Sequence, residues 1–297
     1  MDFLEELFSP CRLCPRECGV MRKMGQTGFC RADREILIAG IMLHPGEEPC
    51  ISVGKGSGAV FFSLCNMACK YCQNYRFSQN PRGEIYTVSE LSKEFLLLQE
   101  KGAANINLIT PEPYLWQISQ ALKLARSNGL NLPVIYNSSA YVSTDALRAI
   151  DGLIDVYLLD LKYADNRLSK AFSMTPDYSD RAKEAIMCAS DLKGEPELGA
   201  KGAIKKGLII RHLVLPGHVE NSKAVLDWVA EHIGDKAWLS LMSQFEPVFE
   251  AEEIGLYRPV SEAEYEDVLD YAFELGLCKG WFQPFGGDNN LLGDNLF

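Results

Sequence analysis

Apolar runs of strand length alternate with amphipathic segments of helix length along most of the chain after residue 57. The runs are continuous in their apolar character, which is typical of parallel strands buried on both faces. Six strands are predicted, at 59–64, 106–110, 132–137, 155–162, 208–215 and 237–245. Helices are predicted at 88–102, 114–129, 143–151, 165–172, 178–193, 220–234 and 261–276, with Ser89 and Ser261 as caps. Six βα units predict an α/β fold, either a partial barrel or a doubly wound sheet.

The first 57 residues have a different composition. They are rich in Cys, Arg, Gly and Pro, and they lack long periodic segments. We therefore expect a small cysteine-rich extension over residues 1–57, followed by one α/β domain over residues 58–297. Because so short a segment buries little core, a bound metal would supply part of its folding free energy.

Charge and hydropathy exclude two classes of partner. The formal net charge is −11, whereas general nucleic-acid binding leaves a basic footprint. No apolar run approaches the roughly 18 residues of a membrane helix. The acidic start of the chain lacks the features of a secretory signal, so we expect a cytoplasmic protein.

Of the ten cysteines, Cys188 and Cys278 lie in helix-like stretches and are predicted to be buried apolar residues.

Three cysteines, Cys65, Cys69 and Cys72, fall within eight residues directly after the first predicted strand. Clustered thiols in a reducing compartment indicate a metal centre. The C-x3-C-x2-C spacing can bind three irons of a [4Fe–4S] cluster, whereas electron-transfer clusters normally have four cysteines. A zinc site would need a fourth ligand, and the nearest histidines along the chain are His44 and His212. The spacing therefore predicts a cluster with one open iron, on a loop where barrel active sites lie.

The segment "SLCNMACKYCQNYRFS" (63–78) resembles the signature of the radical S-adenosylmethionine superfamily. In that superfamily the open iron binds the amino and carboxylate groups of S-adenosylmethionine. An electron from the reduced cluster then cleaves the sulfonium, giving methionine and a 5′-deoxyadenosyl radical. The resemblance implies a radical oxidoreductase with a partial (β/α)6 barrel of this type. It also implies that Tyr71, just before the last cysteine, packs on the adenine.

A narrower resemblance links "CKYCQNYR" (69–76) to the glycyl-radical-enzyme activases, particularly the pyruvate formate-lyase activating enzyme. Asn74 fits the activase pattern, whereas Gln73 replaces the usual histidine. Glu112 matches the carboxylate of a Gly-Gly-Glu-Pro turn that holds the methionyl amine of the cofactor. Thr110 and a proline replace its glycines, and a proline has no N–H to offer. Asn137 takes the place of an aspartate at the end of the third predicted strand.

Two further strand ends carry residues that the resemblance assigns to the cofactor or substrate. Asp160 and Lys162 end a buried strand and lie on the same side of it. In "IIRHLVLPG" (209–217), Arg211 matches a contact to the carboxylate or ribose of the cofactor. Strand alternation points Leu213 into the same pocket and sends His212 the other way, so His212 is predicted to be a core or surface residue.

Four more cysteines, Cys11, Cys14, Cys18 and Cys30, lie in "CRLCPRECGVMRKMGQTGFC" (11–30). Paired short spacings with intervening glycines predict a second metal site. Four thiolates suit zinc and a [4Fe–4S] cluster equally. A similar prefix occurs in radical S-adenosylmethionine proteins that are related to the activases but not tied to a known glycyl radical enzyme.

The functional hypothesis is a radical enzyme that abstracts hydrogen, under anaerobic conditions, from a protein or peptide. The alternatives are radical modification of a small molecule or of another kind of protein, and an iron–sulfur electron carrier. The first hypothesis implies a reductant such as flavodoxin or ferredoxin, with no nucleic-acid or membrane partner. The residues at the predicted barrel mouth do not name the substrate.

Overall fold

Ten strands and nine α-helices form along residues 2–286, which are the residues described by a computed structural model. The strands are β1 (Ile36–His44), β2 (Ser57–Phe62), β3 (Glu84–Tyr86), β4 (Ile106–Ile109), β5 (Val134–Ser138), β6 (Val156–Asp160), β7 (Glu197–Leu198), β8 (Ile204–Leu213), β9 (Trp238–Met242) and β10 (Gly280–Phe282). The helices are α1 (Phe3–Phe8), α2 (Tyr75–Ser78), α3 (Val88–Lys101), α4 (Leu115–Ser127), α5 (Thr144–Ile150), α6 (Asn166–Ser173), α7 (Tyr178–Lys193), α8 (Val219–His232) and α9 (Glu262–Glu274).

The main sheet has the strand order β10–β9–β8–β6–β5–β4–β2–β1–β3, and β7 pairs with β8 beside it. Every neighbouring pair from β2 to β10 is parallel, as expected for strands joined by helices. The six predicted strands are β2, β4, β5, β6, β8 and β9, each within a few residues of its predicted bounds. The α/β prediction of a partial (β/α)6 barrel is confirmed.

One of the two predicted helix caps, Ser261 and Ser89, agrees with the structure. Ser261 caps α9 in a capping box with Glu264, as predicted. The predicted Ser89 cap of α3 is wrong, because Thr87 is the N-cap and forms a capping box with Glu90. Among residues 2–286, no helix combines the length and the apolar character needed to cross a membrane.

The cysteine-rich extension contributes regular structure that its composition did not predict. Strand β1, which was not among the predicted strands, pairs antiparallel with β2 from Ile38 to His44. Helix α1 packs its Phe8 ring 5.0 Å from the ring of Trp116 in α4. The division at residue 57 stays a prediction, and the hairpin of β1 and β2 spans it.

The segment 45–56, which we call the floor loop, connects β1 to β2. Since His44 pairs with Ser57, this loop starts at the amino-terminal edge of the parallel strands. Its residues Cys50 and Ile51 are buried against an apolar layer inside the barrel, formed by Ile135, Val156, Leu158, Ile204 and Ile209. The floor loop therefore closes the inside of the barrel from below, opposite the loop that carries Cys65, Cys69 and Cys72.

Candidate active site

The three clustered cysteines line one cavity of about 220 Å³ together with the carboxyl ends of the parallel strands. Their loop is fixed to the end of α6 by two backbone hydrogen bonds. The Ala68 N–H donates to Ser173 O at 3.2 Å, and the Lys70 N–H donates to Phe172 O at 2.8 Å. Both bonds flank Cys69, so the position of its sulfur depends on α6.

Each of the three sulfur atoms has a polar hydrogen beside it. The neighbours are the Met67 N–H, 3.4 Å from Cys65 Sγ, the Ser173 hydroxyl, 3.0 Å from Cys69 Sγ, and the Ser78 hydroxyl, 3.2 Å from Cys72 Sγ. Burial raises the pKa of all three thiols, that of Cys72 to about 11. Because a metal ligand must be a thiolate, binding of iron here would release protons.

The donor set fits a cluster better than a single ion. Within residues 2–286, no group of three or more His, Cys, Asp or Glu side chains converges on a point where one metal ion could bind. The cysteines of a [4Fe–4S] cluster bind different iron atoms and do not have to meet at one point. Three thiols around one cavity, each with a hydrogen-bond donor, are the ligands such a cluster requires.

Three successive strand ends at this site turn through the left-handed backbone region. Leu64, Thr110 and Ala140 follow β2, β4 and β5, with φ values of 71°, 59° and 62°. Such angles are rare outside glycine, and a β-branched residue like Thr110 is strained there. Thr110, at a position where the activase resemblance has glycine, thus lies in the left-handed region, and its N–H donates to Asn137 O at 2.9 Å.

Glu112 is buried behind the cavity wall, with 1% of its surface exposed. The Ser138 hydroxyl donates to its Oε1, while its Oε2 meets no donor within hydrogen-bond distance. The Tyr136 hydroxyl, which also lacks a partner, lies near enough to the carboxylate to lower its pKa. Burial raises the pKa of Glu112 to about 7, although the hydrogen bond from Ser138 acts in the opposite direction. A buried carboxylate oxygen without a donor favours binding of a ligand that brings one.

Asp160 and Lys162 line the cavity as an ion pair, with Nζ 2.5 Å from Oδ2. Burial alone would lower the pKa of Lys162, but the Asp160 carboxylate and the nearby Cys69 sulfur raise it overall. The Tyr178 hydroxyl donates to Asp160 O at 2.7 Å and accepts from the Lys162 N–H at 3.1 Å. The prediction that the two charged side chains lie on one side of the strand end agrees with this pairing.

Arg211 is held by two carboxylates of the floor loop. Its Nε donates to Glu48 Oε1 at 2.9 Å, and its Nη2 is 2.7 Å from both Glu48 Oε2 and Glu47 Oε2. Ser240 also donates to Glu48 at 2.7 Å, and Asn107 donates to Glu47 at 3.0 Å. Burial alone would raise the pKa of Glu48, but the guanidinium lowers it. Sequence reasoning missed Glu47 and Glu48, because only the fold places the floor loop beside β8.

The remaining predicted cofactor residues, Tyr71, Asn74, Asn137 and Leu213, also line the cavity. The structure therefore brings all the predicted cofactor residues to this cavity except Glu112, which lies behind Ser138. His212 lies on the opposite face of β8, fully buried between Leu161 O and Ser222 Oγ. Burial lowers its pKa to about 4, so His212 is a neutral core histidine, the first of the two places, core or surface, that were predicted for it.

The four cysteines of the extension lie close enough to influence one another. Burial raises the pKa of Cys14 to about 12, and the Cys11 and Cys30 thiols add to the effect. A Cβ on Gly28 would lie 2.7 Å from Cys18 Sγ, so any larger residue at this position would displace the Cys18 side chain. Cys14 also contacts the side chain of Asn66, the residue after Cys65, and the extension thus adjoins the cavity loop.

Two cysteines outside both clusters, Cys188 and Cys278, were predicted to be buried. Cys188 in α7 is buried, as predicted, with 3% of its surface exposed. The prediction for Cys278 is wrong, since this residue is exposed and follows the end of α9.

Comparison with known proteins places this site in a family. The family described as "Radical SAM superfamily" matches residues 60–229, which is more than half of the chain. An uncharacterized protein of Methanocaldococcus jannaschii, MJ0674, is 28% identical over 288 residues, covering 93% of this chain and 78% of the relative. A second uncharacterized protein of that organism, MJ0808, is 25% identical over 168 residues, covering 51% of this chain and 49% of that protein.

Solved structures share the fold at low sequence identity. Streptococcus suis SuiB bound to its precursor peptide SuiA aligns with a TM-score of 0.51 and 11% identity over 71% of this chain. SuiB bound to S-adenosylmethionine aligns with a TM-score of 0.50 and 12% identity. The alignments cover 44% and 45% of the SuiB chains, so this chain corresponds to less than half of SuiB. The family match and the cysteine loop together show that the chain belongs to the radical SAM superfamily, whose members use a [4Fe–4S] cluster and S-adenosylmethionine.

Proposed function

We propose that the protein cleaves S-adenosylmethionine reductively and uses the resulting radical to abstract hydrogen from a protein or peptide. The observation that carries this proposal is the convergence of Cys65, Cys69 and Cys72 with the strand-end residues on one cavity. When bound, a cluster on these cysteines would supply the electron that breaks the sulfonium bond. The protein's own residues hold the reactants in place and limit the access of water.

The chain offers complementary groups for each part of the cofactor. Glu112 lies behind Ser138, so its Oε2 would accept a hydrogen bond from the methionyl ammonium once the Ser138 side chain rotates away, and the ammonium would also give the buried carboxylate a charge partner. Tyr71 would pack on the adenine. The polar side chains of Asn74 and Asn137 and the Asp160–Lys162 pair would contact the ribose or the substrate.

A protein or peptide substrate is supported by two independent resemblances. The cysteine loop resembles that of the activases, which act on a protein backbone. The fold aligns with SuiB, which has been crystallised with a precursor peptide. We propose a flavodoxin or ferredoxin as the reductant.

We also propose a second metal site at Cys11, Cys14, Cys18 and Cys30. Within residues 2–286 these side chains do not converge on one point either, so a single zinc ion would have to draw them closer together. Support comes from their mutual electrostatic influence and from the glycine that gives space to Cys18. Zinc would stabilise the extension, whereas a second [4Fe–4S] cluster would also carry electrons. Counting iron and zinc in the purified protein, and again after replacing Cys14 with Ser, separates these two forms of the proposal.

The test of the main proposal is release of 5′-deoxyadenosine. Protein reconstituted with iron and sulfide under anaerobic conditions is mixed with dithionite and S-adenosylmethionine, and the nucleoside is quantified by chromatography. We expect release by the unmodified protein and by Cys278→Ser, which changes an exposed cysteine far from the cavity loop in sequence. We expect no release by Cys69→Ser. Redox cycling of the cluster without release would indicate an electron carrier and refute the proposal.

The substrate is identified by isotope transfer. Cell extract labelled with deuterium is added to the reconstituted enzyme, and the fraction that transfers deuterium to 5′-deoxyadenosine is isolated. Label from a protein fraction supports the proposal. Label from the small-molecule fraction alone would favour the alternative, in which the radical modifies a metabolite.

A further inference from the structure

A chain of hydroxyl groups connects the cavity wall to one of the cluster sulfurs. The Tyr71 hydroxyl is 2.7 Å from the Tyr163 hydroxyl, which is 2.6 Å from Ser173 Oγ. The Ser173 hydroxyl is 3.0 Å from Cys69 Sγ. Tyr163 and Ser173 are fully buried, and Tyr71 is 7% exposed, so little water competes for these bonds.

The direction of the bonds follows from counting protons. A hydroxyl carries one hydrogen to donate, and an iron-bound thiolate can only accept. If Ser173 donates to Cys69, it must accept from Tyr163. Tyr163 has then used its only hydrogen and must accept from Tyr71. All three bonds therefore point toward the sulfur, and each one polarises the next.

Backbone and ring contacts fix the positions of these three hydroxyl groups. Ser173 ends α6, and its carbonyl accepts the Ala68 N–H next to Cys69. Tyr163 follows the Asp160–Lys162 strand end, and its ring packs edge-on against Tyr178 at 5.4 Å. Within residues 2–286, neither of the other two sulfurs has a comparable row of hydroxyls: Ser78 beside Cys72 accepts from the Gln79 side-chain amide, and Cys65 accepts from the Met67 N–H.

We infer that the Tyr71–Tyr163–Ser173 chain sets the reduction potential of a cluster bound at Cys69 and makes it respond to the group stacked on Tyr71. Hydrogen bonds to cluster sulfurs are one of the factors that set such potentials. A donor on a thiolate withdraws electron density from it and favours the reduced cluster. An adenine packed on Tyr71 would change the strength of the first bond, and Tyr163 and Ser173 would pass that change to the sulfur.

This inference rests on the proposed function, since it requires a cluster at Cys69 and a nucleotide at Tyr71. The test measures the midpoint potential of the reconstituted cluster by anaerobic titration followed by electron paramagnetic resonance, with and without S-adenosylmethionine. We expect Ser173→Ala to shift the potential of the nucleotide-free protein to a more negative value. Tyr163→Phe retains the Ser173 donor but removes its polarisation, so we expect a smaller shift in the same direction.

The change in reduction potential on binding S-adenosylmethionine distinguishes a three-hydroxyl chain from a single hydrogen bond to Cys69. Tyr163→Phe should lose most of the change in potential that S-adenosylmethionine produces in the unmodified protein. Ser78→Ala, the matched control, removes a hydroxyl beside Cys72 and should shift the nucleotide-free potential while keeping that change. Should Tyr163→Phe and the unmodified protein have equal potentials in both states, the inference is overturned. Release of 5′-deoxyadenosine by the unmodified protein, measured separately, shows whether the proposed function itself holds.

If Ser173→Ala does not fold, Tyr163→Phe alone decides the question. This change preserves the ring and its contacts, and circular dichroism together with the iron content shows whether the fold and the cluster are intact. A lost nucleotide response at full iron content supports the inference, and a retained response contradicts it.

Discussion

Replacing Glu112 with Gln should stabilise the metal-free protein at pH 8 much more than at pH 5. The side chain is 1% exposed, and burial raises its pKa from an ordinary value of 4.5 to about 7. Glutamine has nearly the same shape and can still accept the hydrogen bond from Ser138. The substitution therefore removes the charge while leaving the packing almost unchanged.

The sign and size follow from proton linkage. For an acid whose folded pKa is raised, the contribution to stability is fully present below pH 4.5 and is lost as the pH rises toward 7. Above pH 7 the loss levels off, because the folded protein also ionises there. The change from 4.5 to about 7 corresponds to about 3 to 4 kcal/mol, at about 1.4 kcal/mol for each pH unit. Between pH 5 and pH 8, we expect the advantage of the Glu112→Gln variant to grow by roughly 2 to 3 kcal/mol.

The assay is urea unfolding of the metal-free, reduced protein at both pH values, followed by circular dichroism. The matched control is Glu266→Gln, which changes an exposed glutamate of α9 and should follow the unmodified protein at each pH. An advantage of Glu112→Gln that is equal at pH 5 and pH 8 would refute the claim that burial disfavours the charge.

The same substitution should weaken cofactor binding. A hydrogen bond to a charged group contributes about 1.5 to 3 kcal/mol, which corresponds to a loss of roughly tenfold to more than a hundredfold in affinity. Calorimetry with S-adenosylmethionine and the anaerobic reconstituted protein measures this loss. Equal affinity of the Glu112→Gln variant and the unmodified protein would separate Glu112 from the cofactor, while leaving the stability result valid.

Three further predictions concern other parts of the structure. Gly28→Ala should reduce the metal content of the extension, because the added Cβ would lie 2.7 Å from Cys18 Sγ. The control Gly152→Ala should keep the metal content, since its added Cβ meets no atom within 4 Å, and elemental analysis measures both variants. Thr110→Gly should change the free energy of unfolding by less than about 1 kcal/mol, since relief of the left-handed strain offsets the entropy that glycine adds to the unfolded chain. A loss of stability above about 2 kcal/mol in urea unfolding would contradict this prediction. Arg211→Met should destabilise the protein at pH 8 by about 3 kcal/mol or more, because the carboxylates of Glu47 and Glu48 lose their cation while they stay buried and charged. At pH 4 the loss should be smaller, since protonation neutralises both carboxylates, and thermal unfolding at both pH values measures the difference.

The parallel strands and most helices were predictable because their signals are local. An apolar run such as that of β4 or β8 gives its own length and burial, and the capping box at Ser261 fixes where α9 begins. Strand β1 is equally apolar but was not predicted, because it lies within a segment rich in Cys, Arg, Gly and Pro that carries no other periodic pattern. Its role as an antiparallel partner of β2 depends on contacts that no local pattern records.

The site was predictable where residue spacing fixes geometry. Three cysteines on one loop must lie near one another, and alternation along β8 places Arg211 and Leu213 on one face and His212 on the other. Ser173 carries no such signal. It reaches Cys69 from a position 104 residues further along the chain, and only the packing of α6 on the cavity loop brings the two together.

The role of Arg211 was only partly predictable from the family pattern. The residue type and its place on β8 agree with the pattern, but Glu47 and Glu48 lie in the floor loop, outside the family match at residues 60–229. Removing one partner of a buried ion pair costs about 3 to 5 kcal/mol, whereas a hydrogen bond to a charged ligand returns about 1.5 to 3 kcal/mol. Moving the guanidinium onto the cofactor would therefore leave two buried carboxylates without their cation, a cost that one new hydrogen bond does not offset. We accordingly expect Arg211 to keep these carboxylates when the cofactor binds and to stabilise the lower wall of the cavity, with any contact to the cofactor made by the guanidinium atoms that the pair leaves free.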